Sequence, residues 1–163
     1  MSQDRVSIAI QNALVSLAAY MVGYYFTGLF HGRSSDIGGL WSLIAAIVVL
    51  QATSREAWKS AVLRVLGTLM GATIGGLYLY LFPFSPVGMA VSIGLTVLLC
   101  QALNVPDHGR LASITVALIM VISSGNSELS PFTNAALRFI ESLIGATIAV
   151  IVVLLWPKTK AAA

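Results

Sequence analysis

Two arginines stand inside apolar stretches that carry almost no other charge, and they stand at matching places. Arg64 opens Arg64-Val65-Leu66-Gly67-Thr68-Leu69-Met70-Gly71, and Arg138 opens Arg138-Phe139-Ile140-Glu141-Ser142-Leu143-Ile144-Gly145. At helical spacing Ser60, Arg64, Gly67, Thr68, Gly71 and Gly75 share one face, as do Asn134, Arg138, Glu141, Ser142, Gly145 and Ala149. Each face is a stripe of small and polar residues headed by a guanidinium. That group is always charged and presents a planar fork of donors to a carboxylate, so two of them along one path would suit an organic anion. Within a bilayer an arginine is costly and faces protein or a watery cavity. On this chemistry Arg64, Arg138, Thr68 and Ser142 are the candidate substrate-binding residues, and Glu141 is the candidate for proton coupling.

Each of these residues also has a plainer role. Arg64 can snorkel toward lipid phosphate, and Arg138 can pair with Glu141 three residues on. Gly67, Gly71 and Gly75 form two overlapping GxxxG patterns, which let helix backbones approach closely, and Gly145 takes the place of Gly71 in the other stretch. Gln11, Asn12, Gln51, Thr53, Ser54, Ser113 and Thr115 read as side chains that bond helix backbones. The single cysteine, Cys100, allows no internal disulfide, and no Cys or His stands near it as a metal partner. His31 and His108 read as headgroup-level residues. No grouping resembles a hydrolytic triad, a zinc site or a phosphate loop, so the expectation is no enzyme, no cofactor, no metal and no nucleic acid.

The elements that must hold these side chains are transmembrane helices. Of the 163 residues 58% are hydrophobic and only 9% charged, with a mean hydropathy of +0.91. A soluble domain carries roughly a quarter charged residues, and this chain would lack the polar surface to cover a core in water. An all-α integral membrane fold follows, with six spans at residues 8–30, 37–52, 60–82, 86–105, 111–124 and 131–156. The second and fifth are short against the roughly 20 residues that cross a bilayer. Turn chemistry separates the spans at His31-Gly32-Arg33-Ser34-Ser35-Asp36, at Pro83-Phe84-Ser85-Pro86, at Asn104-Val105-Pro106-Asp107-His108-Gly109-Arg110 and over the polar residues 124–130. Thr53 with Glu56 reads as a capping box that starts the third helix before its apolar part. Ser130 followed by Pro131 reads as a cap with proline at the first helical position. Trp41, Trp58 and Trp156 read as interfacial belt residues.

No small-residue cleavage site follows the stretch after Arg5, so that stretch reads as a permanent first span. With the N-terminus inside, Arg5, Arg55, Lys59, Arg110, Lys158 and Lys160 fall on the cytoplasmic side and only Arg33 on the other. Both termini are therefore expected in the cytoplasm.

The third and sixth spans align without a gap, and ten of the 23 residues 61–83 recur at residues 135–157. The shared set includes the arginine, the run Gly71-Ala72-Thr73-Ile74 as Gly145-Ala146-Thr147-Ile148, and the closing Pro83 as Pro157. At the same spacing residues 41–49 fall on residues 115–123, so the second and fifth spans also correspond. A unit of three helices is odd, and its second copy enters the membrane from the opposite side. The expectation is one transmembrane domain over 1–160, built as two inverted three-helix repeats at about 6–83 and about 84–157, with 161–163 a tail or cloning remnant. Transporters use such repeats, with the substrate path near the interface between them.

The passage from Leu40-Trp41-Ser42-Leu43 through Gln51-Ala52-Thr53 to Arg64-Val65-Leu66-Gly67-Thr68-Leu69-Met70-Gly71-Ala72 resembles the fusaric acid resistance and aromatic acid exporter superfamily. Plant aluminium-activated malate transporters are related to it. The ending, Arg138-Phe139-Ile140-Glu141 through Ile144-Gly145 to Trp156-Pro157, also resembles that family's last span. The resemblance implies export of aromatic or other small carboxylic acids, or anion-channel conduction as in the plant branch. It implies subunits paired as a homodimer in a bacterial inner membrane, with a periplasmic adaptor as a further candidate partner. Many members add a cytoplasmic domain or a second membrane unit, whereas this chain stops just past Pro157. A non-transporting membrane scaffold or partner subunit is the competing expectation.

Overall fold

In hydrocarbon no water bonds an exposed peptide group, so a crossing chain must satisfy its backbone internally, which a helix does. The computed structural model describes residues 3–125 and 129–156, with side chains from Val6 on except that of Pro106. Among the described residues there are six α-helices and no strand. They are α1 (Gln3–Phe30), α2 (Ser35–Val49), α3 (Ser54–Leu81), α4 (Pro86–Ala102), α5 (Pro106–Gly125) and α6 (Pro131–Leu155). A single 3-10 turn, Gly32–Ser34, joins α1 to α2. Four segments are long and apolar enough to cross a membrane: Val6–Phe30, Ser54–Leu81, Asp107–Gly125 and Pro131–Leu155. Helix α4 is apolar but shorter, at 17 residues, and α2 has 15.

The caps explain where helices start. Thr53 Oγ1 accepts from the Glu56 backbone N–H at 3.3 Å and donates to the Glu56 carboxylate at 2.9 Å. Helix α3 therefore begins at Ser54, before its apolar part. Ser130 Oγ accepts from the Thr133 N–H at 3.1 Å and opens α6 at Pro131. Ser85 does the same for α4 through Gly88 N–H at 3.0 Å, with Pro86 at the first helical position.

Three boundaries differ from the sequence reading. Helix α5 starts at Pro106, so most of the expected turn at residues 104–110 is helical. Proline fits a first helical position, and Asp107 in the first turn meets the positive end of the helix dipole. Helix α4 stops at Ala102 rather than Val105, because Asn104 takes a left-handed backbone with φ 57°. Helix α2 stops at Val49, and Leu50 is already extended. Pro157, Lys158, Lys160 and residues 161–163 lie outside the described residues, as do residues 126–128 of the polar stretch and the Arg5 side chain.

The described residues fall into two compact units. One comprises those up to Ala61 together with those from Leu143, and the other is Val62–Ser142. In the first unit α1 packs on α2, and Tyr20 OH donates to Asp36 at 3.1 Å. In the second α4 packs on α5, and Ala72, Ile119 and Ala135 form a small apolar core with Leu79 against it.

Polarity runs opposite to that of a water-soluble fold. Leu17, Tyr25, Leu29, Val87 and Leu98 are exposed, while Arg64, Thr68, Asn134, Arg138, Glu141 and Ser142 are buried. Apolar residues outward and polar ones inward is the pattern lipid selects. The chain is an all-α membrane protein with several spanning helices. Of the expected belt residues, Trp58 is exposed and the Trp156 Nε1–H donates to Ser7 Oγ at 3.1 Å. Trp41 is instead enclosed, 3% exposed, because α2 presents it on the buried face it shares with Gly38, Ser42 and Ala45.

Candidate functional site

The buried charges of the described residues are three, Arg64, Arg138 and Glu141, and all belong to the second unit. Helices α3 and α6 place them. The stripe of α3 faces inward along its length there, with Arg64, Gly67, Thr68, Gly71 and Gly75 all buried. Arg64 is 2% exposed, so it does not snorkel away from the protein. Thr68 Oγ1 donates to the Arg64 carbonyl one turn back at 2.8 Å. The same oxygen lies 3.1 Å from Ser142 Oγ of α6. Because the threonine proton is already engaged, Ser142 is the donor in that pair.

On α6 the Arg138 Nη1 stands 3.0 Å from the Glu141 Oε2, and neither side chain has any exposed surface. The ion pair expected at this spacing is therefore formed. One turn before Arg138, Asn134 Nδ2 donates to Ser123 Oγ of α5 at 2.8 Å. The second unit thus gathers Arg64, Thr68, Ser142, Arg138 and Glu141 on facing stripes of α3 and α6.

The glycines decide how close the supporting helices come. A Cβ on Gly71 would meet the Ala112 carbonyl oxygen and stand 2.6 Å from Thr115 Cβ. One on Gly67 would stand 2.9 Å from Leu111 Cβ and 3.3 Å from the His108 carbonyl oxygen. Gly75 is looser, its nearest neighbour Val116 O at 3.4 Å. Gly145 belongs to the first unit, where a Cβ would meet the Ser42 carbonyl oxygen and stand 2.9 Å from Ala45 Cβ. Gly71 and Gly145 thus make one and the same contact, to a carbonyl and to the side chain three residues later. Constant spacing set Trp41 opposite Thr115. By these contacts, each within its own unit, Ser42 takes the part of Ala112 and Ala45 that of Thr115. A face of small residues repeats every turn, so aligned composition alone does not fix which turn is meant.

Two contributors escaped the sequence reading. His108 is 9% exposed, and neither ring nitrogen has a hydrogen-bond partner among the described residues. It sits in the first turn of α5 behind Gly67, more enclosed than a headgroup-level residue; only the α3–α5 approach shows this. Ser123 had no signal beyond being polar near a helix end. The weaker polar residues behave as expected: Asn12, Ser113 and Thr115 bond carbonyls of their own helices, and Gln51 reaches back to the Val48 carbonyl at the end of α2. A cavity of about 280 Å³ between α3 and α6 is lined by Leu69, Ala72, Thr73, Phe132, Ala135 and Phe139 among others. It is apolar and contains none of the buried charges. Among the described residues no group of His, Cys, Asp and Glu could hold a metal ion.

Residues 17–152 match the family described as fusaric acid resistance protein-like. The chain belongs to that family. It is 27% identical over 122 residues to a UPF0421 protein of Staphylococcus epidermidis and equally so, at 27%, to one of Staphylococcus saprophyticus. Each match covers 74% of this chain and 36% of the relative. The chain thus spans little more than a third of the relatives it matches. No solved structure matches it. The family assignment covers both arginine turns and their glycines, and it leaves the chemistry of the site to the geometry just described.

Proposed function

We propose that this chain is a membrane unit for transport of organic anions, moving aromatic or other small carboxylic acids along a path lined by Arg64 and Arg138. The observation that carries the reading is the burial of two arginines, 2% and 0% exposed, at equivalent turns of two matching helices. Burying one guanidinium is costly, and repeating it beside a hydroxyl pair is hard to explain by packing alone. Each can hold a carboxylate through two parallel hydrogen bonds. Thr68 and Ser142 lie one turn beyond their arginines and offer hydroxyls along the same stripe.

In this reading the two halves of the chain form an inverted repeat. Residues exchanged by a two-fold rotation touch only beside its axis, and Thr68 and Ser142 are repeat mates in direct contact at 3.1 Å. The matched cradles of Gly71 and Gly145 fit the same relation. In this reading six helices cross the bacterial inner membrane, both termini face the cytoplasm, and Arg64 and Arg138 approach the path from opposite sides. Two chains pair as a homodimer, and a periplasmic adaptor extends the route where the outer membrane must be crossed. A channel of the malate-transporter type would use the same residues and differ in gating. A non-transporting scaffold would need the buried arginines for folding alone.

Uptake of labelled 4-hydroxybenzoate and malate into proteoliposomes tests the proposal. Saturable flux is expected, and it should disappear in Arg64→Ala and Arg138→Ala variants that still elute as folded protein. Absence of flux for any organic anion from folded parent protein would favour the scaffold.

A further inference from the structure

The glycines of α3 set its register against α5 within the second unit. Gly67 faces Leu111 Cβ, Gly71 faces Thr115 Cβ and Gly75 faces Ile119 Cγ2, each partner 44 residues further along the chain. The two helices therefore run the same way and advance together. Three residues before Gly67 and Leu111, the same step brings His108 level with Arg64. At helical spacing His108 shares a face of α5 with Thr115 and Ile119, and that is the face packed against α3. Around α3, Arg64 lies in angle between Gly67, which meets α5, and Thr68, which meets Ser142 of α6.

His108 is buried at this level, and neither of its ring nitrogens has a hydrogen-bond partner among the described residues. Asp107 and Arg110, beside it in the same turn, are exposed. Burying a polar group without a hydrogen bond is costly, and a ring kept only to fill space would need no nitrogens. A neutral imidazole has one N–H to donate. A carboxylate offers about four lone-pair sites, and the fork of one arginine uses two of them. The remaining sites suit a second donor from a neighbouring helix.

We propose that His108 is a further anion-binding residue, whose imidazole N–H donates a hydrogen bond to the substrate carboxylate held by Arg64. This rests on the anion path proposed above. Helix α5 thus joins α3 and α6 as a wall of that path, and Gly67 keeps the imidazole close by letting the α5 backbone approach. In the proposed topology this is the cytoplasmic end, where an exported acid enters. The other histidine, His31, belongs to the first unit, and its Nδ1 stands 2.8 Å from Ser34 Oγ.

The test combines direct contact with binding strength. 4-Hydroxybenzoate labelled at its carboxyl carbon is bound to the full chain carrying ring-nitrogen-labelled histidine, in lipid, and solid-state NMR reads the dipolar coupling between the labels. The His108 signals are those missing from His108→Gln. Parent protein should place a His108 ring nitrogen about 4 Å or less from the carboxyl carbon, with no such coupling at His31. In detergent, His108→Phe keeps a ring and removes the donor, and it should weaken 4-hydroxybenzoate binding about tenfold. His108→Gln keeps an N–H and should stay within about threefold of the parent. Saturable binding without coupling to His108 overturns the proposal, as does a His108→Phe protein that binds as tightly as the parent. Should His108→Phe not fold, the coupling in the parent decides alone. Either contrary result spares the anion path, whereas folded parent protein that binds no 4-hydroxybenzoate sinks both.

Discussion

The turns that carry the two arginines share a frame of arginine, hydroxyl and glycine, and they differ in charge at one residue. Both run from an arginine to a hydroxyl four residues on and a glycine seven residues on, Arg64-Thr68-Gly71 and Arg138-Ser142-Gly145. The hydroxyls touch each other, and the glycines make matching contacts to a carbonyl and a following side chain. Three residues after the arginine one turn has Gly67 and the other Glu141. Gly67 admits Leu111 and the backbone of His108, bringing α5 against α3. Glu141 spends the same position on a carboxylate 3.0 Å from its arginine. The shared residues serve helix approach, which both halves need. Gly67 and Glu141 set the difference in charge, and under the proposed anion path they make its two arginine stations unlike.

The largest expected effect comes from separating the pair. Arg138→Met leaves Glu141 buried without its arginine and should lower unfolding stability in detergent by about 3–5 kcal/mol. Adding Glu141→Leu should recover stability to within about 2 kcal/mol of the parent, since two apolar side chains can replace a buried pair. Anion flux should stay lost. If the single and double variants are equally unstable, the pair is not the unit described here.

A smaller effect tests the shared frame. Gly71→Ala and Gly145→Ala each set a methyl group against a backbone carbonyl, and each should cost about 1–3 kcal/mol. Costs that differ by more than that range would break the equivalence of the two glycines. The helix starts come next: Thr53→Ala and Ser130→Ala each remove a capping oxygen and should each cost about 1 kcal/mol in the same unfolding measurement. Ser142→Ala is the mildest, about 0.6 kcal/mol, as for other hydrogen bonds between membrane helices.

Much of this was readable from residue types. Long apolar runs gave the helices, and Thr53 with Glu56 and Ser130 with Pro131 gave two starts that the structure keeps. The buried stripes followed from spacing, because a polar residue in a span has nowhere cheaper to face than inward. What failed depended on neighbours. The residues Asp107-His108-Gly109-Arg110 looked like a loop by polarity, yet a proline start and the Gly67 contact make them the first turn of α5. Trp41 looked like a belt residue by type, and its position on the packed face of α2 buries it.

The central claim is that guanidinium groups at both turns recognise the travelling anion, and substitution by lysine tests it most directly. Arg64→Lys and Arg138→Lys keep a positive charge and most of the volume while removing the planar fork. Labelled 4-hydroxybenzoate uptake should be compared among parent and both variants in the same liposomes, normalised to folded protein. The account predicts saturable uptake in the parent and a fall of about tenfold in each lysine variant, the loss expected for one charged hydrogen bond. Uptake at the parent rate in both variants would contradict it.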